Sequence, residues 1–321
     1  MYFKNILMKM KKKLFPIMFH HFHDNKKHVK SQGSLDKDKL YKLIKKIGIK
    51  NILSPDDFIH KTKNNKIQNY ETCITFDDGI KSQFDVAYPL LKDLKIKSFF
   101  FIYSSIFGKK LNLLELNRYF REVCFKNIDQ YYQSFYNILN KEIDKKTINK
   151  ILDKKRTLFI KQKKIWNFYS ISDLEFRFIR DRVLDRDKFE KISIQLFKKK
   201  EFDYKSFNKN IYINKKNLEI LSKDENAIGL HSHSHPTNFD KLSYSKQFEE
   251  LKKNKQILER ISKNNIFSMA YPLGRFNSNS LKILKKLKIK IAFLSQPNFQ
   301  DKSPYKTSRE DHTILSKRLG L

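Results

Sequence analysis

Cysteine is almost missing from this chain. Cys73 and Cys124 are the only two, and they are spaced neither as a metal pair nor as a redox motif. No disulfide framework can be built from them, which fits a reducing compartment. Long apolar runs are missing too: the longest, FFFIY at 99–103, is far short of the roughly 20 residues that span a bilayer. The opening MYFKNILMKMKKKLFPIMFHHF is basic at its start but has no apolar core of export length. Histidines interrupt it and no small-residue cleavage site follows. These absences predict a soluble, cytoplasmic protein.

Acidic residues are also short, 34 against 68 lysines and arginines, for a net charge of +34. Such a field attracts phosphates, nucleic acid or anionic headgroups. The lysines are spread along the whole chain among Asn, Ile and Phe, and no block of like charge forms a tail. They read as solvated faces, which allows peripheral contact with an anionic membrane and predicts no specific nucleic-acid partner. Glycine is the last scarcity, at seven residues, about 2% against a usual 7% or so. Three of them, Gly79, Gly229 and Gly274, lie in or beside three polar clusters, where positive φ or close backbone approach is needed.

What is present is a recurring unit. Hydrophobic residues make up 40% of the chain, enough for a sizeable core, and neither repeats nor low-complexity linkers divide it. CITF runs into DDG, followed by Phe84, Ala87, Tyr88, Leu91 and Leu94 at helical spacing, with Pro89 predicting a kink or a late start. AIGL runs into HSHSHP, then a helix with Ser245 as the expected N-cap and Phe248, Leu251, Leu258 and Ile261 as its stripe. FSMAY runs into PLGRFN, then Leu281, Leu284 and Leu287, and a further strand IKIAFL. Alternating strand and helix predicts an α/β fold with a parallel sheet, open or closed into a barrel. Chemistry in such folds collects at the C-terminal strand ends, where all three clusters fall. Over 108–225 the unit disappears and helical spacing takes over, predicting a largely helical insertion.

Six of nine histidines fall in two runs, HHFH at 20–23 and HSHSH at 231–235. On a helical turn, His231 and His235 share a side at metal-ligand spacing; on an extended strand all three of the second run share a face. Asp77 and Asp78 sit before Gly79. That is a common turn signal when alone, but a carboxylate with two imidazoles suits a borderline divalent ion and leaves a coordination position open.

TFDDG at 75–79, HSHSHP at 231–236 and AYPLG at 270–274, in that order, resemble the polysaccharide deacetylase family, the NodB-homology carbohydrate esterases. PIMFHH at 16–21 is similar to the segment that opens many of these domains, so the resemblance runs from about residue 16 to about 295, broken by the insertion. It implies a distorted (β/α) barrel over 1–321 as one catalytic domain, and metal-dependent removal of an N-acyl group, acetyl or formyl, from an amino sugar. Carried over, Asp77 is the general base, and Asp78, His231 and His235 hold the ion. His233 falls at a variable position. His20, Tyr271, Pro272, Gly274 and Arg275 are the expected substrate-side residues. Zinc is the default ion, with cobalt, nickel and manganese as alternatives.

Two positions depart from the family pattern. The third motif usually begins with an arginine that pairs with the base; Ala270 stands there, with Arg275 and Arg309 as candidate substitutes. The general acid for the leaving amine is unassigned between His20, His312 and neither. The expected substrate is a cytoplasmic surface-polysaccharide precursor or glycan, with a nucleotide- or lipid-linked carrier suiting the positive charge. The competing expectation, motivated by Ala270, is a non-catalytic glycan-binding or scaffolding member of the same fold.

Overall fold

The protein is described as a computed structural model covering residues 13–24, 26–108, 113–166, 169–296 and 303–321. The chain divides into two compact units, one of residues 1–24, 34–110 and 212–321, the other of 25–33 and 111–211.

The first unit is built on seven parallel strands: β1 (Ile17–Phe19), β2 (Ile74–Asp77), β3 (Phe99–Ile102), β4 (Ala227–Leu230), β5 (Ser268–Ala270), β6 (Ile291–Phe293) and β7 (Glu310–Asp311). Their order is β6-β5-β4-β3-β2-β1-β7. The two ends of this order meet through one short segment. Thr307 exchanges backbone hydrogen bonds with β6, donating to Ala292 O and accepting from Leu294 N at 2.9 Å each. Three residues later Glu310 pairs with Ile17 of β1. This is the distorted (β/α) barrel, and the segment 307–311 is its closing stave.

Strand alternation sorts the side chains onto two faces. Ile74, Phe76, Phe100, Ile102, Ile228, Leu230, Met269 and Ala292 join the helix-facing core. Cys73, Phe99, Phe101, Ala270, Ile291 and Phe293 form a second cluster with Phe58. Thr75 and Asp77 are registered with Phe99 and Phe101 and so share their face. A residue that pairs in register with Phe101 on the far side is Gly229. A Cβ there would lie 2.4 Å from Phe101 Cδ1 and 2.7 Å from Ser268 Oγ. Gly229→Ala is therefore expected to cost about 1–3 kcal/mol by overpacking. A thermal midpoint equal to the wild type's would refute this.

The helices follow the sequence with two adjustments. Around Pro89 a π turn over Gln83–Ala87 leads into the α-helix Tyr88–Asp93, which has the proline in its first turn. The helix Tyr244–Ser262 starts two residues earlier than expected, because Ser243 Oγ, not Ser245, accepts the Lys246 amide. Among the described residues no helix is long and apolar enough to cross a membrane.

The second unit is helical in its regular structure. Asn127, Asp144, Ser170 and Asp185 each cap a helix through their side chains, starting Ile128–Leu139, Lys145–Asp153, Ile171–Phe178 and Arg186–Lys199. Leu116, Phe120, Tyr131, Phe135, Phe176, Ile179, Ile192 and Phe197 form a core of its own.

Candidate metal centre

The parallel strands β2, β4 and β5 deliver their polar clusters to one edge of the barrel. β2 ends on Asp77, with Asp78 next at φ 76°, a left-handed backbone that turns its carboxylate out of the strand. β4 ends just before His231. The loop that follows adopts neither backbone considered for it: residues 231–236 are neither helix nor strand, with left-handed φ at Ser232 (63°) and His235 (52°). This returns His235 to the side of His231, with ring centroids 4.8 Å apart.

The result is one buried group of three. Asp78 Oδ1 lies 3.3 Å from His231 Nε2 and 3.4 Å from His235 Nε2. One ligand atom from each residue falls within 4.8 Å of the others. Asp78 Oδ1 is buried with no hydrogen-bond partner, a position that water-excluded oxygen seldom holds without a compensating charge. His231 Nδ1 is 2.8 Å from the Ala270 carbonyl, so that nitrogen carries the proton and Nε2 offers its lone pair to the group. Two neutral imidazoles and one carboxylate are a donor set that a divalent ion fits. Burial pulls the Asp78 carboxyl up, but His231 and His235 outweigh it, so it stays well below the usual carboxylate range. For His231 burial favours the neutral ring, and the Asp78 and Asp77 carboxylates overcome it, so its pKa is raised.

Asp77 is held apart from this group by a different partner. Arg309, on the closing stave and fully buried, grips it with both ends of its guanidinium, Nη1 to Oδ1 at 2.6 Å and Nη2 to Oδ2 at 2.7 Å. Its Nη1 also donates to Thr75 Oγ1 at 3.1 Å and its Nε to Leu294 O at 2.6 Å. Phe101 and Phe293 flank the guanidinium with centroids at 5.6 and 5.9 Å. Burial would raise the Asp77 carboxyl, yet Arg309 holds it below its ordinary value. Arg275, the other candidate for this pairing, instead donates to the Thr237 carbonyl.

Among the expected substrate-side residues, His20 comes nearest to the carboxylates. It follows β1 directly, and its Nε2 lies 3.8 Å from Asp77 Oδ2 and 3.9 Å from Asp78 Oδ2, partly exposed. Gln83 ties the two strand ends together, donating to the Asp77 and His20 carbonyls at 2.6 and 2.8 Å. His312 is buried, its ring stacked on Phe19 at 5.1 Å. Tyr271 is fully buried, its hydroxyl donating to the Tyr305 carbonyl at 3.0 Å. Pro272 is buried beside it, and Gly274 (φ 67°) lies so close to Ser295 that a Cβ would meet the Ser295 amide nitrogen at 2.9 Å.

Comparison with known proteins bears out the resemblance. The polysaccharide deacetylase family model matches residues 190–292, which include His231, His235 and the AYPLG segment. The Streptococcus pyogenes deacetylase PplD, solved with acetate, superposes with a TM-score of 0.54 at 14% identity, over 95% of this chain and 97% of that one. The fold is that of the polysaccharide deacetylases. IcaB from Ammonifex degensii gives 0.51 at 12% identity over 93% and 87% of the two chains. The de-N-acetylase from Aggregatibacter actinomycetemcomitans gives 0.51 at 12% identity over 92% and 93%. No curated protein matches the sequence. In this polysaccharide deacetylase fold, the residues missed by sequence reasoning are Glu250 and Asn254, which hold the histidine loop. The available signal was Asn254, a polar residue on the apolar stripe between Leu251 and Leu258.

Proposed function

We propose that this protein is a metal-dependent N-deacetylase of an acylated amino sugar, with Asp77 as general base and Asp78, His231 and His235 as metal ligands. The observation that carries the reading is the division of labour between adjacent carboxylates: Asp78 faces two imidazoles, while Asp77 is turned onto Arg309. A binding module has no need of that separation, and Arg309 meets the want of an arginine at Ala270 that motivated the non-catalytic alternative.

Bound at the triad, a divalent ion, zinc by default, would supply Lewis acidity toward the amide carbonyl and lower the pKa of the attacking water. Asp77, ionised and held by Arg309, takes the proton from that water as it adds to the carbonyl. His20, beside both carboxylates and reachable from solvent, returns a proton to the leaving amine. Tyr271, Pro272, Gly274 and Arg275 shape the adjoining loop on the substrate side, with the Tyr271, Gly274 and Arg275 amides already donating within the fold. In this reading residues 1–321 act as one catalytic domain, with 108–225 inserted. The acyl group is acetyl, and formyl removal would use the same chemistry. The charge of +34 suits a phosphate-bearing carrier, nucleotide- or lipid-linked, met in the cytoplasm or against an anionic membrane.

Metal content by elemental analysis tests the reading, together with acetate or formate release from acylated amino sugars. One divalent ion per chain is expected. His235→Ala should weaken zinc binding by at least about 100-fold, since even second-sphere partners cost 10- to 100-fold. Absence of any ion after reconstitution with zinc, cobalt, nickel or manganese would sink the mechanism.

A further inference from the structure

The loop that carries both histidines is irregular and bends twice through left-handed backbone, at Ser232 and His235. Within the loop the His235 amide donates to Ser232 Oγ at 3.1 Å. A conformation of this kind persists where surrounding groups over-determine it.

The helix Tyr244–Ser262 supplies those groups. Glu250 Oε2 accepts the amides of His233 and Ser234 at 2.9 and 2.8 Å, and Oε1 accepts the Ser234 hydroxyl at 2.8 Å. One turn along the same face, Asn254 Oδ1 accepts the His231 amide at 2.9 Å while Nδ2 donates to the Ile102 carbonyl at 3.0 Å. From the opposite side Ser105 N donates to the His233 carbonyl at 2.9 Å. Residues 231, 233 and 234 are thus each pinned by their backbone, and His235 follows directly. Glu250 alone meets three donors, and a carboxylate accepting several hydrogen bonds is a strong, directional anchor.

We propose that Glu250 is a positioning residue for the metal centre: its carboxylate sets the turn at 232–235 and thereby the reach of His235 Nε2 toward Asp78. This rests on the metal reading above. A helix–loop contact that served stability alone would lower the unfolding temperature without altering the affinity of the folded protein for metal.

The test uses full-length wild type, Glu250→Ala and Glu250→Gln, each titrated with zinc against a competing chelator. Hydrogen exchange over residues 231–236 is followed in the metal-free proteins. Glu250→Ala is expected to weaken zinc binding by about 10- to 100-fold and to speed exchange in that loop. Glutamine keeps the shape and one oxygen able to accept both amides, so Glu250→Gln should stay within about fivefold of wild type. Zinc binding by folded Glu250→Ala within about twofold of wild type overturns the proposal. If Glu250→Ala does not fold, Glu250→Asp replaces it; the carboxylate is then withdrawn by one methylene, and the same limits apply. If wild type itself binds no divalent ion, the metal reading fails separately. Exchange then decides whether Glu250 anchors the loop: acceleration confined to 231–236 supports the anchor, and unchanged exchange removes it.

Discussion

Asp77→Asn lowers acyl release by about 100- to 10,000-fold, the range for loss of a positioned general base, and leaves the metal in place. The expectation follows from the separation of the two carboxylates. The group that could hold an ion, Asp78, His231 and His235, is left unaltered. Asparagine cannot accept the proton of the attacking water. Its amide also presents an NH2 to a guanidinium that offers only donors, so some stability is lost as well. Activity is therefore compared per folded, metal-loaded chain, below the unfolding transition. Retention of activity within about tenfold would move the base elsewhere and sink the role given to Asp77.

Arg309→Met has the largest expected effect on stability, on the order of 3–5 kcal/mol. Methionine fills much of the same space, but Asp77 is then a buried carboxylate with its charge uncompensated. Thr75 and the Leu294 carbonyl each lose a donor at the same time. Pairing the two substitutions separates these terms. In Asp77→Asn with Arg309→Met no unopposed charge remains, so the double variant should be more stable than the sum of the single losses predicts, by about 2 kcal/mol or more. Chemical denaturation of the four proteins measures this cycle. A loss below about 1 kcal/mol for Arg309→Met would show that the Asp77 charge is compensated without the guanidinium.

The site was legible in part because its pieces are local. TFDDG and HSHSH each follow an apolar stretch that could only be a strand, and parallel strands bring their ends to one edge. His20 was placed by the same argument, since it follows β1 as Asp77 ends β2. The path of the histidine loop was not legible. Helical and extended spacing both bring His231 and His235 together, and the actual left-handed turns at Ser232 and His235 depend on hydrogen bonds from Glu250, Asn254 and Ser105. A cap is a smaller case: Ser243 and Ser245 have equal propensity, and only the geometry of the preceding turn selects Ser243.

By itself the sequence determined the strand–helix units that carry the three polar clusters and the chemistry available at their ends. These follow from the periodicity of apolar residues and from short runs whose side chains are neighbours in the chain. The tertiary structure alone decided which arginine meets Asp77. Arg275 and Arg309 carry the same charge, and nothing local distinguishes them. The choice falls to Arg309 because Thr307 bonds to β6 and Glu310 to β1, so the residue between them lies in the stave that closes the barrel. Closure there turns its side chain onto the face shared by Thr75 and Asp77, where burial between Phe101 and Phe293 makes a paired charge the stable arrangement.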